Sequence, residues 1–363
     1  MRLTFLLPVY VSAPIGGYRV VYAYADVLAA RGHRVTIVFL RGRRPPGGAA
    51  SWLDSVAGWL WRLKIRLLNR PLVPWHRLHP GVAFALAPSA RDDHIPDGDA
   101  VVATAWTTAG PVAALSRAKG AKFYLIQHHE TWDGPAVEVD ATWHLPLHKV
   151  VVSRWLLDVG RRLGASELRH IPNGIDLDRF RVTTPPADRR FGILSLYHRH
   201  AFKGVPDALS VLRRYHERFP DVPVTMFGAE PRGADVPDWI AYVADPGQDA
   251  LVRDLYNGHT VYFGASLAEG FALPPAEAMA CGCAFVGTDS GGCRDYATDG
   301  DTALLSPPGD RDGMLRDLTR ITQDAALRAR IQRRGTEAIR RFTWAAAGDA
   351  LERYLAEHRL DDG

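Results

Sequence analysis

Residues 2–9 read RLTFLLPV and residues 34–40 read RVTIVFL, and the stretch RVVYAYADVLAARGH at 19–33 separates them. The two apolar runs have the length of strands, and the stretch between them carries apolar residues at helical spacing. A strand, a helix and a second strand in this order form a βαβ unit with parallel strands. Unbroken apolar runs are typical of strands that helices cover on both faces. This opening stretch therefore predicts an α/β fold with a parallel sheet.

The same alternation recurs along the chain in two series. The first continues with apolar runs at 82–86, 99–104, 122–127 and 149–153 and a helix near 109–119. After the polar, proline-containing stretch at 182–190, a second series has runs at 191–197, 222–228, 260–266 and 283–289 and a helix at 203–220. This break favours two doubly wound domains over one large α/β domain. The two domains are expected to meet at a cleft, with ligands at the carboxyl ends of strands.

The composition agrees with a two-domain globular protein. The chain has 363 residues, of which 47% are apolar and 23% charged, and no apolar run reaches the length of about 18 residues that spans a membrane. The N-terminus is interpreted as a strand and not as a signal peptide, which predicts a cytoplasmic protein. Cys281, Cys283 and Cys293 lack the second ligand pair of a zinc site and are predicted to be buried thiols. The net charge of +4 reflects an arginine-rich composition or an attraction to anions.

The tail and one internal segment do not belong to the alternating series. The tail is helical almost throughout, with predicted breaks at Gly335 and at 342–344. The segment 51–78 interleaves four tryptophans with arginine and lysine. A structural helix of the first domain explains it, but so does an amphipathic helix that contacts lipid, or a flap over an apolar acceptor. A nucleic-acid patch has no supporting motif, and no nucleic-acid partner is expected.

The stretch EGFALPPAE at 269–277 places two glutamates on either side of a proline pair. Because the prolines exclude a regular ladder, the amides of Phe271, Ala272 and Leu273 are predicted to be available to a ligand. Glu277 is predicted to lie in the first turn of the helix that follows, where the dipole favours a carboxylate. The two acids could also be ordinary surface residues. In the functional interpretation they hold the two ends of a sugar nucleotide.

Two further stretches carry candidate groups in the first half. Gly16 and Gly17 form a predicted turn between the first strand and the first helix, where glycines let amides approach an anion, although a plain tight turn explains them equally well. LIQHHETWDG at 125–134 ends a buried strand. Neighbouring residues of a strand point to opposite faces, so one of His128 and His129 is expected at the cleft, and His128 is favoured.

The stretch YHRHAFKG at 197–204 follows the first strand of the second series. It offers His198, Arg199 and Lys203 beside a glycine that opens a helix. Cations in a strand–helix loop suit a diphosphate, whereas the alternative is solvated surface charge.

Together these residues resemble a known family. The two glutamates eight apart, FVGTDSGG at 285–292, IPNGID at 171–176, the Lys203–Gly204 pair and the N-terminal glycine pair are similar to retaining glycosyltransferases of family 4, which have the GT-B fold. The resemblance covers nearly the whole chain. It implies an acceptor-binding Rossmann-like domain at 1–182, a nucleotide-sugar-binding domain at 183–341 and a C-terminal helix at 342–363 that packs back on the first domain.

The resemblance also implies the roles of the residues. Glu277 would take the ribose hydroxyls of an NDP-sugar donor, Glu269 would contact the transferred sugar, and Lys203 would hold the diphosphate. The amides of residues 271–273 and the Gly16–Gly17 stretch would meet sugar and phosphate, and His128 would serve at the catalytic centre. No metal or cofactor is expected. Transfer would proceed by front-face attack with retention, as the leaving diphosphate assists deprotonation of the acceptor.

The sequence departs from the family at one place. The family commonly has an arginine five residues before the lysine, where this chain has His198. Arg199 is favoured to supply that charge, and His198 is the alternative. A phosphorylase or epimerase on the same scaffold and a non-catalytic sugar-nucleotide-binding protein are the alternative functions. The donor's base and sugar stay open, as does the acceptor, which would be a saccharide, a lipid-linked saccharide or a secondary metabolite.

Overall fold

The structure is a computed structural model that describes residues 1–11, 14–40, 73 and 75–360. It divides into two compact units. Unit 1 comprises Met1–Val151, Val159–Ile171 and Ala347–Gly363, and unit 2 comprises Val152–Asp158 and Pro172–Ala346. Both units are therefore discontinuous in sequence, whereas the domains 1–182 and 183–341 predicted from the sequence are continuous. Most of the segment 51–78, namely 51–72 and 74, lies outside the described residues.

Among the described residues, unit 1 has a parallel sheet of seven strands in the order β3-β2-β1-β4-β5-β6-β7. The strands are β1 (Arg2–Leu7), β2 (Arg34–Leu40), β3 (Val82–Ala87), β4 (Ala100–Ala103), β5 (Ala121–Ile126), β6 (His148–Val151) and β7 (Leu168–His170). The helices are α1 (Gly16–Ala30), α2 (Trp106–Ala113), α3 (Ala136–Thr142) and α4 (Arg154–Arg162), whose first residues belong to unit 2. Since β1 pairs with both β2 and β4, the strand order reverses between β1 and β4.

The described part of unit 2 has a parallel sheet of six strands in the order β10-β9-β8-β11-β12-β13. The strands are β8 (Ile193–Leu196), β9 (Val224–Gly228), β10 (Ala241–Ala244), β11 (Val261–Gly264), β12 (Ala284–Thr288) and β13 (Ala303–Ser306). The helices are α5 (Val205–Arg218), α6 (Leu273–Ala280), α7 (Arg311–Gln323), α8 (Ala325–Ile339) and α9 (Trp344–Glu357), most of which belongs to unit 1. The order reverses between β8 and β11, which pair directly.

The predicted apolar runs form the cores of the two sheets. In β1 and β2, Phe5, Leu6, Ile37 and Phe39 have no exposed surface. Full burial of a side chain of this size stabilises the fold by roughly 1.5–3 kcal/mol. This burial agrees with helices on both faces of a parallel sheet, and the prediction of two such sheets is confirmed.

The last helix, α9, packs on unit 1 as the resemblance implies. Glu352 accepts hydrogen bonds at 2.8 Å from both Arg31, which follows α1, and His33. Tyr354 meets Phe123 of β5 edge to face, with ring centroids 5.7 Å apart. The predicted break at 342–344 is also present, between α8 and α9.

Several details differ from the sequence-based expectations. Gly335 is not a break: it lies inside α8, where a Cβ atom would come within 2.9 Å of the Thr302 carbonyl oxygen. The break is at Asp324, whose carboxylate caps α8 by accepting from the Leu327 amide. The helix expected near 109–119 is α2 at Trp106–Ala113, and β7, β13, α3 and α4 were not predicted. All three cysteines are buried free thiols, as expected.

Candidate functional site

The stretch EGFALPPAE connects β11 to α6. The helix begins at Leu273, and Pro274 and Pro275 stand in its first turn, where the missing amide hydrogens leave no gap in the helix ladder. Its N-cap, Ala272, adopts a left-handed conformation with φ of 60°. This conformation costs a non-glycine residue about 1 kcal/mol and tends to be retained at ligand sites. The Ala272 carbonyl accepts a hydrogen bond from the Tyr296 hydroxyl at 2.7 Å, which holds the turn in place.

The backbone amides of Phe271, Ala272 and Leu273 donate no hydrogen bond to any residue that the structure describes. They stand at the N-terminal end of α6, where amides and the helix dipole favour an anion. Glu277, by contrast, is the fifth residue of α6 and not part of its first turn. The expectation that the dipole favours its carboxylate there is therefore wrong.

Lys203 and Glu269 form a largely buried ion pair. The Lys203 Nζ atom lies 2.8 Å from Oε1 and 3.0 Å from Oε2 of Glu269, so one ammonium serves both carboxylate oxygens. The side chains are only 16% and 9% exposed. The Ser266 hydroxyl donates a third hydrogen bond, at 2.8 Å, to Oε1. This carboxylate is therefore held in one orientation by two neighbouring loops.

Close backbone packing brings the two loops together. Gly204 follows Lys203 with φ of +62°, and a Cβ atom there would lie 1.8 Å from the Ala265 carbonyl oxygen. No other residue type fits this contact between the loops after β8 and β11. On the far side, the Glu269 amide donates to the Ser290 carbonyl at 2.9 Å. Lys203 and Glu269 thus meet where the strand order of unit 2 reverses, the position where open α/β sheets bind ligands.

A small cavity opens beside this ion pair. Its polar lining comes from Lys203 and Glu269 and from hydroxyl side chains on the strand ends, namely Ser195, Ser266, Thr288 and Ser290. The Ser195 hydroxyl is buried and has no hydrogen-bond partner among the described residues. A small cavity lined with hydroxyls and one ion pair suits an ordered water molecule.

Glu277 is also buried, at 2% exposed. Its Oε2 atom lies 3.3 Å from the hydroxyl of Tyr256, which donates to it. Burial raises the pKa of the Tyr262 phenol well above its ordinary value, and the charges of Glu269 and Glu277 raise it further. Both acids of the predicted pair therefore lie near one buried side chain of β11.

His198 and Arg199 have different surroundings. Arg199 pairs with Glu230, with Nε 2.7 Å from the carboxylate, and its side chain is 68% exposed. Burial lowers the pKa of the His198 imidazole, and the nearby Lys203 and His200 lower it further. The His200 amide lies 3.1 Å from Nδ1 of His198 and donates to it, which leaves the proton of the neutral ring on Nε2. The preference for Arg199 was drawn from sequence alone, and this geometry favours His198.

The candidate residues of unit 1 lie at the carboxyl ends of β1 and β5. Gly16 and Gly17 are the first residues of α1 and not a turn before it. A Cβ atom on Gly17 would lie 3.5 Å from the Gln127 side chain, so the start of α1 adjoins the end of β5. His128 is partly buried, with its Nδ1 atom 3.0 Å from the His129 carbonyl oxygen. His129 instead pairs with Asp140. The two histidines, between which the sequence could not decide for the position at the cleft, therefore have different partners.

Three residues with specific contacts were given no role from the sequence. The Glu130 carboxylate accepts from the Trp106 amide at 2.7 Å and so caps α2, and burial raises its pKa to about 7. Its position after a strand end was a usable signal, as was that of Ser266 after β11. Tyr256 had no signal in the sequence, because it is one aromatic residue within an apolar helical stretch.

The described residues contain neither a metal-binding cluster nor a membrane-spanning helix. No group of three or more His, Cys, Asp or Glu side chains is placed to hold a metal ion. In the same residues, no helix combines the length and apolar character needed to cross a membrane.

Solved structures share this architecture. Sucrose-phosphate synthase from Thermosynechococcus elongatus matches with a TM-score of 0.74 and 16% identity, covering 98% of this chain and 99% of that one. Anabaena Alr3699/HepE, solved in complex with UDP, matches with a TM-score of 0.69 and 14% identity, covering 98% of this chain and all of that one. At these identities the likeness concerns the fold alone.

Curated relatives are similar over part of the chain. Phosphatidyl-myo-inositol mannosyltransferase from Mycolicibacterium smegmatis is 30% identical over 228 residues, which is 57% of this chain and 58% of that protein. D-inositol 3-phosphate glycosyltransferase from Stackebrandtia nassauensis is 28% identical over 156 residues, 38% of this chain and 35% of that protein. The matches thus span less than two thirds of these relatives.

Family models match most of the chain in two consecutive pieces. Residues 15–179 match the model described as Glycosyltransferase Family 4, and residues 180–338 match Glycosyl transferases group 1. The second match contains Lys203, Glu269 and Glu277 at the reversal of the unit 2 sheet. The chain therefore belongs to glycosyltransferase family 4 and has the GT-B fold.

Proposed function

We propose that this protein is a glycosyltransferase that moves a sugar from an NDP-sugar donor to an acceptor hydroxyl, with retention at the anomeric carbon. The observation that carries the proposal is the buried Lys203–Glu269 pair, which adjoins the unpaired amides at the start of α6. A cation and free amides suit a diphosphate, and a carboxylate suits sugar hydroxyls. These groups lie in unit 2, so unit 2 is the proposed donor-binding part and unit 1 the proposed acceptor-binding part.

In the proposed reaction the bond between the anomeric carbon and the donor's β-phosphate oxygen breaks. A bond from the same carbon to the acceptor oxygen forms on the same face of the sugar, and the acceptor proton passes to the departing diphosphate. Negative charge therefore grows on the leaving oxygen in the transition state. Lys203 and the amides of residues 271–273 would stabilise that charge, while Glu269 would hold the sugar hydroxyls. The front-face course is carried over from the family resemblance.

The remaining roles are assigned by the same resemblance. Glu277 would accept hydrogen bonds from the ribose, and His198 would donate to the diphosphate from Nε2. The start of α1, at Gly16 and Gly17, would approach the phosphates, and His128 would contact the transferred sugar. We also propose that no divalent ion is required, since Lys203 and amides already supply positive charge at the diphosphate.

The acceptor proposal starts from the names of the relatives. Two of them are named for inositol-containing acceptors, which makes a polyol ring the first acceptor class to test. A peripheral contact between residues 51–78 and the membrane would bring the enzyme to a lipid-borne acceptor. That part of the proposal rests on the interleaved tryptophan and basic residues of the sequence alone.

The test uses the purified full chain and a panel of UDP-, GDP- and dTDP-sugars. Release of NDP is measured first without acceptor, and then with inositol, inositol phosphate and phosphatidylinositol vesicles. Mass spectrometry identifies the product and NMR gives its anomeric configuration. We expect one donor to give a glycoside with retained configuration. Release of NDP from none of the donors, with or without acceptor, would refute the proposal, and inversion would refute its mechanism. Release of a sugar phosphate with added phosphate would indicate a phosphorylase instead.

A further inference from the structure

A second cavity in unit 2 lies between α8 and the segment 182–191 that precedes β8. Its volume is about 620 Å³, which falls within the range of about 300–1,000 Å³ that small-molecule sites have. The lining residues from α8 run from Ala325 to Arg340 at spacings of three and four, so they belong to one face of the helix. We call this cavity the α8 groove. Neither Lys203 nor Glu269 lines it, so it is separate from the candidate donor site.

Hydrogen bonds to main-chain carbonyls hold both walls of the α8 groove in place. On the wall formed by 182–191, the buried Arg189 guanidinium donates to the carbonyls of Tyr256 and Cys281, at 3.0 and 2.6 Å. On the wall formed by α8, the Gln332 side chain donates to the Thr260 carbonyl at 3.0 Å. Both walls are thus fixed to the core of unit 2, and a ligand that binds between them would need to order little of the protein.

The end of the groove at the start of α8 is apolar. Ala325 and Ala329 face the groove there, together with Phe191 from the opposite wall. The Arg328 guanidinium lies over the Phe191 ring, 4.7 Å from its centroid, and donates to the Ile321 carbonyl at 2.7 Å. This arginine is therefore already engaged, and its neighbourhood offers a ligand mainly apolar surface.

The other end of the groove carries cations. Arg333 and Arg340 are exposed and stand seven residues apart, which is two helical turns or about 10 Å along the axis. Their guanidinium groups form no hydrogen bond or ion pair with any residue that the structure describes. Glu337 also lines this end, but its carboxylate lies 3.8 Å from the Arg334 guanidinium, which offsets its charge. Two guanidinium groups at a cavity suit a carboxylate, sulfonate or phosphate group.

We infer that the α8 groove binds a small amphiphilic anion. An acyl or aryl body would pack on the apolar end beside Phe191 and Ala329, and a carboxylate, sulfonate or phosphate group would be held by Arg333 and Arg340. The inference goes beyond the proposed function and does not depend on it, because no residue that lines the groove has a part in the proposed sugar transfer.

The test uses anilinonaphthalene sulfonate, an aromatic sulfonate whose fluorescence increases on binding, with the purified full chain. Excess UDP is present throughout, so that the probe does not enter the proposed donor site. Arg333→Gln/Arg340→Gln removes both charges, and Ala329→Phe fills the apolar end. Arg330→Gln/Arg334→Gln and Ala326→Phe are the matched controls, because these residues are exposed on α8 but do not line the groove. Thermal unfolding without the probe checks that each variant folds.

We expect both groove variants to bind the probe at least about tenfold more weakly than wild type, in line with the loss of hydrogen bonds to a charged group or of the apolar contact. The control variants should stay within about twofold of wild type. Decyl phosphate should displace the probe, whereas decanol and inorganic phosphate at the same concentration should not, since each supplies one half of the ligand.

Unchanged affinity in both groove variants, or equal losses in the controls, would overturn the inference. Displacement by inorganic phosphate alone would also overturn it, because the groove would then be a plain anion site. A wild type that does not bind the probe at all would have the same consequence. None of these results bears on the proposed function, which the donor panel tests by itself.

Discussion

The ammonium group of Lys203 bridges both carboxylate oxygens of Glu269, at 2.8 and 3.0 Å. The two residues lie on the loops that follow the neighbouring strands β8 and β11. A diphosphate that enters this site would compete with Glu269 for the lysine. Because the pair is mostly buried, a variant that removes one charge leaves the other without its partner, whereas a variant that removes both charges does not. Effects on stability can therefore be separated from effects on function.

The first prediction concerns this pair. Lys203→Gln should lower the free energy of unfolding by about 3 kcal/mol, because it leaves a buried carboxylate without its cation. It should lower kcat by about 10²–10³-fold, since the leaving diphosphate loses its stabilising charge. Urea unfolding and the transfer assay measure the two effects.

The double variant Lys203→Met/Glu269→Gln separates the effect on stability from the effect on transfer. Removing both charges should restore most of the lost stability, since no uncompensated charge stays buried, but it should not restore transfer. Recovery of activity together with stability would mean that the pair is structural and has no part in the chemistry.

The second prediction distinguishes His198 from Arg199. Arg199→Ala should change kcat/KM for the donor by about twofold or less, because its guanidinium is exposed and paired with Glu230. His198→Ala should lower it by about tenfold or more, through loss of a hydrogen bond to a charged group. If the Arg199 variant shows the larger loss, the preference drawn from the sequence was right.

The lowered pKa of His198 gives this assignment a pH signature. The ring is neutral in the free protein at pH 7, and lowering the pH protonates it and adds a positive charge beside the diphosphate. Affinity for an intact NDP-sugar should therefore rise as the pH falls from 7 through and below the unperturbed value of about 6.5, because the lowered pKa moves protonation of the ring to a more acid pH. His198→Gln keeps a hydrogen-bond donor but cannot titrate, so its affinity should be flat over that range. Equal slopes in both proteins would contradict the assignment.

The sequence predicted the sheets far better than the contacts of the site. β2 runs over the residues expected, since its apolar run is buried on both faces and nothing competes with that pattern. Gly335 was misinterpreted because a glycine that permits close helix packing looks the same in sequence as one that ends a helix. β13 was missed because four residues, ALLS, are too few to show a period.

At the site, the sequence identified Lys203, Glu269 and Glu277 because motif spacing is local. It could not supply their partners. Tyr256 reaches Glu277 from another element, so its contact depends on tertiary packing that no spacing encodes, whereas Ser266 lies only three residues before Glu269. The preference for Arg199 over His198 stays a prediction: a guanidinium is the better anion ligand in general, but here the Glu230 carboxylate already engages it.

The third prediction concerns Glu130. Burial raises its pKa to about 7, against an ordinary value near 4.5, so the folded protein binds a proton there that the unfolded chain has released. Stability should therefore fall as the pH rises from about 4.5 to 7, with a contribution of no more than about 3 kcal/mol. The difference in unfolding free energy between wild type and Glu130→Gln isolates this contribution. A difference that is constant with pH would show that Glu130 titrates normally.

The fourth prediction tests the proposed independence of metal ions. Dialysis against EDTA should change the transfer rate by about twofold or less, because cationic and amide groups already face the developing charge. If EDTA abolishes transfer and Mg²⁺ or Mn²⁺ restores it, the assignment of charge stabilisation to Lys203 is incomplete.

The last prediction concerns the glycine behind the ion pair. Gly204→Ala would put a Cβ atom 1.8 Å from the Ala265 carbonyl oxygen, at a positive φ that alanine also disfavours. Gly309→Ala is the matched control, because Gly309 has φ of +81° with nothing within 4 Å of the added atom. The control should lose only about 1–2 kcal/mol of unfolding free energy, the cost of the backbone conformation alone. Gly204→Ala should lose at least about 2 kcal/mol more, since the loops after β8 and β11 must separate.

Separation would move Lys203 from Glu269, so transfer per folded molecule, measured after correction by urea unfolding, should fall in Gly204→Ala and stay at the wild-type level in Gly309→Ala. Equal losses in the two variants would mean that the contact between Gly204 and Ala265 does not position the lysine.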